Sequence, residues 1–307
     1  MERQSLKRLQ ESIESVIKGK SDAVKMAIVT LLGKGHLLLE DVPGIGKTTL
    51  AFTLAKATNC SFQRVQFTSD LLPTDIIGVN IYNPDTREFE FRSGPLFANI
   101  ILADEINRTN PKTQSALLEA MNERRVSVDR KTYRLPEPFM VIATQNPLEY
   151  HGTFPLPESQ LDRFMMHLKL GYPAAEYERQ VLFQQASFDS IESMAPAISS
   201  EEIIRMQQEV DAVKIDDSLV DYIMSIITHT RRSDKIRLGV SPRGGQFLLK
   251  AVKATAYYEG REYVTPDDIK GTAPLVLGHR IILKTQTYIS DAERVIEEIL
   301  SGIPVPV

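Results

Sequence analysis

The stretch "LLLEDVPGIGKTTLA", Leu37 to Ala51, decides the fold. It reads as an apolar strand ("HLLLE", 36–40), a turn ("DVPGIG") and a helix ("KTTLAFTLAKAT") with Leu50, Leu54 and Ala57 on one face. That order is what a phosphate-binding loop requires. Backbone N–H groups must converge on phosphate oxygens at a helix N-terminus, and Gly44 and Gly46 permit the backbone conformations and close approach that side chains would block. The candidate ATP-binding positions here are Pro43, Gly44, Ile45, Gly46, Lys47, Thr48 and Thr49, of which Pro43 alone has no N–H to donate. Lys47 brings a positive charge to the outer phosphates, and Thr48 a hydroxyl to Mg²⁺. The pattern G-x-x-x-x-G-K-[ST] asks for glycine where this chain has Asp41. A carboxylate facing a triphosphate at low dielectric would repel it by several kcal/mol, so Asp41 is expected to point away.

Outward from this loop, short apolar runs alternate with helical patterns from Gly35 to Leu170, the signature of a parallel sheet flanked by helices. The expected strands are 36–40, 62–67, 99–104, 139–144 and 163–170. Asn110 before Pro111 marks the start of a helix that buries Ala116, Leu117, Ala120 and Met121. Two hairpins interrupt the pattern, at 79–93 and at 124–135, and should project from the body rather than extend the sheet. After "LGYP" helical periodicity takes over. Ser241-Pro242 and Thr265-Pro266 open helices, and Ser290 with Glu293 has the spacing of a capping box. The chain therefore divides near Pro173 into an α/β nucleotide-binding domain (1–173) and a helical lid (174–307).

"NIILADE" ends a strand with two carboxylates at the edge where open α/β sheets bind ligands. Asp104 suits the Mg²⁺ shell and Glu105 suits polarisation of the attacking water. A lone aspartate there would be an ordinary helix cap, and a regulatory GTPase would not be expected to carry the glutamate. The span from Lys47 to Asp104 holds one further strand, which argues for an extra strand between the two nucleotide strands. Asn146, closing "FMVIATQNP", could position that water or simply form an Asn-Pro turn. Arg163 in "QLDRF" and Arg243 in "VSPRGG" are singly no more than surface arginines.

Composition narrows the rest. The chain has 307 residues, 42% hydrophobic, with a net charge of −4, enough for two cored domains and without a general positive field for nucleic acid. Cys60 stands alone, which excludes an internal disulfide and suggests a reducing compartment. The charged start lacks a secretory core and no run approaches ~18 apolar residues, so a cytoplasmic protein without membrane insertion is expected.

Together these pieces resemble the AAA+ ATPases, and among them the MoxR family of the helix-2-insert clade. The resemblance spans nearly the whole chain and is carried by "LLLEDVPGIGKTTLA", "RVQFTSDLLPTDIIGVNIYN", "LADEINRTNPKTQSALLEAMNERRVSVD", "VIATQNPLEYHGTFPLPESQLDRF", "SPRGGQFLLKAVKATA" and "YVTPDDI". It implies a P-loop NTPase fold with a five-stranded parallel sheet and an all-helical lid. It also implies Asn146 as sensor 1, Arg163 as an arginine finger acting on a neighbour, and Arg243 as sensor 2, serving either its own subunit or the next. "VIKGK" resembles the adenine-side loop, with Ile17 and Gly19 as contacts. Hairpin 79–93 matches the helix-2 insert and 124–135 the hairpin before sensor 1. Gly278 in "VLGHR" departs from the family, which tends to have a basic residue there.

The resemblance implies ATP and Mg²⁺ as ligands, a homo-oligomeric, usually hexameric, ring, and remodelling of a client or adaptor protein that can carry a von Willebrand factor A domain. Two alternatives differ in class. A nucleic-acid motor would use the basic hairpin (Arg124, Arg125, Arg130, Lys131, Arg134), against the negative net charge. A motor subunit of a metal-chelatase complex would resemble this arrangement too.

Overall fold

A computed structural model describes residues 2–42, 44–129, 131–146, 154–172, 176, 191–285 and 289–306. Pro43, Arg130 and the boundary expected at Pro173 lie outside the described residues. In chain order, α1 (Glu2–Glu14) and α2 (Ser21–Leu32) precede β1 (Leu37–Glu40), α3 (Lys47–Ala57), β2 (Phe62–Gln66) and the short α4 (Pro73–Ile77). The hairpin β3 (Gly78–Asn83) and β4 (Glu88–Ser93) follows, then β5 (Ile100–Asp104), α5 (Pro111–Glu123) and the second hairpin, β6 (Arg125–Val128) and β7 (Lys131–Arg134). Next come β8 (Met140–Gln145), one turn of helix α6 (Glu158–Leu161) and β9 (Met166–Leu168). The second half carries α7 (Ser200–Ala212), α8 (Asp217–Arg232), β10 (Ile236–Leu238), α9 (Pro242–Tyr258), α10 (Pro266–Leu277), β11 (Ile282–Leu283) and α11 (Ile289–Gly302).

All five expected strands form one sheet, ordered β2-β5-β8-β1-β9 with every neighbour parallel. Alternate residues face opposite sides, so both faces are apolar. Leu37, Leu39, Ile100, Leu102 and Ile142 pack on one side with Leu50 and Leu54 of α3. Leu38, Ile101, Ala103, Val141 and Ala143 pack on the other with Leu117, Leu118 and Met121 of α5. Each fully buried leucine or isoleucine contributes about 1.5–3 kcal/mol. Asn110 caps α5, its side chain accepting from the N–H groups of Lys112 and Thr113, both at 3.1 Å.

An extra strand does separate the two nucleotide strands, but it is β8, later in the chain, that lies between β1 and β5; β2 sits outside β5 at the sheet edge. Parallel strands put all their C-terminal ends along one edge. The pairs Glu40↔Gln145 and Gln66↔Asp104 therefore align the ends of four strands. The last strand is shorter than the expected 163–170. It pairs only with β1, from Met166 to Leu168, and Arg163 falls in the turn after α6, its N–H bonding the Gln160 carbonyl at 3.1 Å.

The hairpins form separate two-stranded sheets, as expected, and are tied to each other. Phe91 stacks on Tyr133 at 4.1 Å, and Asn80 donates to Asp129. Arg124 donates to the Lys34 carbonyl (2.9 Å), which ties the hairpin to the body, and the exposed Arg125 pairs locally with Glu123 (2.8 Å).

Among the described residues the second half is mainly helical, with the antiparallel ribbon β10–β11 and an isolated bridge between Lys214 and Tyr263. Ser241 caps α9 by accepting from Gly244 N–H at 3.0 Å. Asp268 of α10 accepts from Thr265 N–H at 2.8 Å and from Arg261. The Ser290 side chain of the capping box expected with Glu293 lies outside the described residues. Helix α11 already begins at Ile289, and the Glu293 carboxylate is turned to His167 instead.

Candidate active site

Gly44 and Gly46 take the left-handed φ values of 85° and 93°, and a Cβ on either would meet nothing within 4 Å, so the loop presents an open face. Gly46 sits immediately before α3 with no side-chain cap, which leaves the first helical N–H groups for an anion. An open cradle of this kind fits a polyphosphate. Ile45, Thr48 and Thr49 are half-buried around it. Lys47 Nζ donates to the Asp41 carbonyl at 2.6 Å. Burial pulls its pKa below the ordinary lysine value, opposed by the nearby charges of Asp41, Asp104 and Glu105.

The Asp41 carboxylate points away from the loop's face, as expected. It accepts from the N–H groups of Leu170 (2.5 Å) and Gly171 (2.9 Å), just after β9. The same segment receives Lys20, whose Nζ donates to the Tyr172 carbonyl at 2.6 Å. Ile17, packed on the core, and Gly19, at φ 71°, are thereby held on a segment that Asp41 also grips.

Asp104 and Glu105 are positioned by residues that the sequence reading passed over. Thr144, fully buried in β8, donates to Asp104 Oδ1 at 2.6 Å and accepts from the Glu105 N–H at 2.9 Å. One hydroxyl thus fixes both carboxylate residues, and it holds Glu105 in a left-handed conformation (φ 57°, ψ 50°) that ordinarily costs about 1–3 kcal/mol. Glu105 Oε2 also accepts from Gln66 (2.6 Å) and pairs with Arg108 (3.1 Å). Arg64 closes on Asp104 Oδ2 at 2.6 Å. The one available signal for Thr144 was a hydroxyl inside an otherwise apolar strand. Asn146 follows β8 and is buried, between the phosphate loop on β1 and the carboxylates on β5.

Arg163 and Arg243 lie elsewhere. Arg163 precedes the start of β9, and the pair Leu37↔Met166 puts that start at the N-terminal edge of the sheet, opposite the phosphate loop. Its Nη1 donates to the Leu118 carbonyl at 2.9 Å, and its buried Nε has no partner among the described residues. It borders a cleft with Ser115, Glu119, Asn122 and Gln160. Asp162 organises this corner, accepting from Ser241 Oγ (3.0 Å) and from the buried Arg280 Nε (2.9 Å). That anchors the start of α9, and Arg243 comes close enough to oppose the charges of both Arg163 and Arg280. Burial lowers the pKa of Arg163, and Arg243 adds to the effect. Burial likewise lowers Arg280 to about 10, against the pull of Asp162.

Beside the phosphate loop, His167 of β9 is buried between Glu40 of β1 (3.0 Å) and Glu293 of α11 (3.3 Å). Burial favours the neutral ring, but the bonds to Glu293 and Glu40 outweigh it and raise the pKa above 6.5. Burial also disfavours the charged Glu40, yet the bond to His167 brings it below 4.5. His279, the other neighbour, is kept neutral chiefly by burial and then by Arg280. Gly278 has a physical reason here: a Cβ would come 2.7 Å from Glu293 Cγ and dislodge the carboxylate from His167. A raised histidine pKa stabilises the fold below 6.5 and is lost as pH rises through the folded value, whereas the lowered Glu40 acts above 4.5. The wild-type melting temperature should therefore fall as pH rises from 6.5 through that folded value, and His167→Gln should flatten this dependence. Parallel melting curves for the two proteins would contradict it.

Among the described residues no group of three His, Cys, Asp or Glu side chains could hold a metal ion. The Thr48 hydroxyl and Asp104 carboxylate are hard oxygen donors, and they suit Mg²⁺, which is commonly held by one or two protein oxygens plus phosphates and waters.

Residues 36–166 match the family described as "ATPase family associated with various cellular activities (AAA)", and residues 228–299 match the AAA lid domain. The uncharacterised protein YeaC of Bacillus subtilis is 51% identical over 97% of this chain and 93% of its own. Chaperone MoxR1 of Mycobacterium tuberculosis is 39% identical over 96% of this chain and 80% of its own. A crystal structure of a Cytophaga hutchinsonii protein assigned as an ATPase superposes with a TM-score of 0.90 at 38% identity, covering 100% of this chain and 96% of that one.

Proposed function

This chain belongs to the MoxR family of AAA+ ATPases, and on that premise we propose that it hydrolyses ATP to ADP and phosphate within a ring of identical subunits, usually six. The ring would use the cycle to remodel or activate a partner protein in the cytoplasm. The observation that carries this reading is the division of the charged groups between two sheet edges. Lys47, Asp104, Glu105 and Asn146 gather at one edge, and Arg163 with Arg243 at the other. A side chain three residues before β9 cannot reach back along the strand to its own phosphate loop, so a complete site needs two copies.

In this reading Ile17 and Gly19 border the adenine, and the N–H groups from Gly44 to Thr49 receive the β- and γ-phosphates, with Pro43 shaping the turn and Lys47 supplying charge. Thr48 and Asp104 would hold Mg²⁺. When bound, Mg²⁺ neutralises charge that builds on the phosphates. Asn146 orients a water, Glu105 takes its proton, and Arg163 and Arg243 of the adjacent copy stabilise the transferring group.

MoxR1 of M. tuberculosis is named a chaperone, which supports a protein client, and one with a von Willebrand factor A domain is the class we favour. Nucleic acid is disfavoured by the net charge of −4, and of the basic hairpin's groups Arg124 is tied to the Lys34 carbonyl and Arg125 is paired with Glu123. Among the described residues no helix is long and apolar enough to cross a membrane.

The test is direct. Lys47→Ala removes a charge-assisted contact worth about 1.5–3 kcal/mol and should weaken ATP binding at least tenfold in a fluorescence titration. Unchanged affinity would remove the loop from the reading.

A further inference from the structure

Arg64 stands on β2, the edge strand beyond β5, and takes no part in the chemistry above. Its guanidinium closes on one oxygen of Asp104, with Nη2 at 2.6 Å and Nε at 3.2 Å from Oδ2. The other oxygen, Oδ1, accepts from Thr144 at 2.6 Å. A carboxylate oxygen offers about two lone-pair sites, so Arg64 fills Oδ2, and Oδ1 has one site left. The Asp104 side chain is 12% exposed, while that of Arg64 is 49% exposed and has room to swing into water.

We infer that Arg64 is a built-in stand-in for the metal ion, neutralising Asp104 while no Mg²⁺·nucleotide is bound and yielding Oδ2 when one arrives. The inference rests on the nucleotide reading of the site. A largely buried carboxylate is disfavoured without a paired cation, and Lys47, though near, donates to the Asp41 carbonyl, so the direct counter-charge on Asp104 comes from Arg64. A metal ion entering at the remaining Oδ1 site would share one carboxylate with Arg64, and two cations that close repel each other, so the resident must then withdraw. Arginine suits the task because it stays charged, and its fork grips the oxygen from two nitrogens.

The exchange also touches Glu105. Arg64 Nη2 lies 3.4 Å from Gln66 Oε1, and Gln66 Nε2 donates to Glu105 Oε2 at 2.6 Å. Both side chains leave the same face of β2, two residues apart, so withdrawal of Arg64 frees Gln66 to shift its hold on Glu105. Arg64 is in these terms a positioning residue. Its cost to the protein is a lowered apparent affinity for Mg²⁺, because part of the binding free energy goes into displacing it.

The experiment titrates Mg²⁺ against full-length protein and a fluorescent ATP analogue, reading binding rather than turnover, with EDTA as the baseline. Formation of Mg²⁺·nucleotide in solution is common to all variants and drops out of the comparison. Arg64→Gln should lower the half-saturating Mg²⁺ concentration by about three- to tenfold. Its melting temperature should fall without Mg²⁺ and recover more than the wild type does on adding Mg²⁺ and analogue. Arg64→Lys keeps a charge but only one point of contact, and should move the half-saturating concentration the same way by about twofold, which carries the test if Arg64→Gln does not fold. An unchanged or raised Mg²⁺ requirement in the folded variants overturns the inference while leaving the ATPase reading intact. A wild type that binds no analogue at any Mg²⁺ concentration overturns both.

Discussion

Arg163→Ala is expected to lower ATP turnover by about 10³- to 10⁵-fold while nucleotide affinity stays within a few-fold of wild type, because an arginine finger acts on charge that develops in transfer rather than in binding. The geometry separates this effect from a local structural one. Arg163 lies across the sheet from the phosphate loop of its own chain, and its Nε has no partner among the described residues. Its side-chain bond to the Leu118 carbonyl is a part-buried contact whose loss costs about 0.5–1.5 kcal/mol. The variant should therefore fold and still bind ATP. Mixed with wild type, it should poison activity more than in proportion to its share, since each defective subunit also spoils its neighbour's site. Activity that falls only in proportion to dilution would exclude a shared site.

Glu105→Gln should slow hydrolysis by about 10²- to 10⁴-fold, the usual range for losing a general base, and leave ATP binding intact. The substitution preserves shape, and the backbone N–H of this residue keeps its bond to Thr144. A negative charge beside Lys47 is lost, so affinity should hold or rise slightly. The carboxylate is held by Gln66 and Arg108, and those contacts must loosen before it can accept a proton from water. Turnover within threefold of wild type would remove Glu105 from the base role. The trapped ATP-bound form would also be a suitable bait for the client.

Much of the candidate site was legible because its chemistry is local in sequence. A loop that must offer consecutive N–H groups needs glycines, a lysine and a hydroxyl in one run, and Gly44 to Thr49 supply them. Asp104-Glu105 declares itself for the same reason, as two acids ending an apolar strand. The residues that hold those acids were illegible, since Arg64, Gln66 and Thr144 lie on strands that become neighbours only when the sheet assembles. Asp162 shows the same limit: it joins Ser241 and Arg280, each far along the chain, and no spacing rule connects them.

The sequence by itself determined the element types, the five strands, the phosphate loop and the outward turn of Asp41, because hydrophobic period, glycine placement and charge repulsion act within a few residues. Strand order was decided only in three dimensions. The strand expected between β1 and β5 proved to be β8, since pairing follows burial of both faces rather than chain order. The Glu293 carboxylate, expected to serve a cap, is turned to His167, a buried imidazole held between two carboxylates from distant parts of the chain. Tertiary structure alone also put Arg163 and Arg243 together, on the edge away from their own phosphate loop, as sheet direction and the Asp162 anchor require.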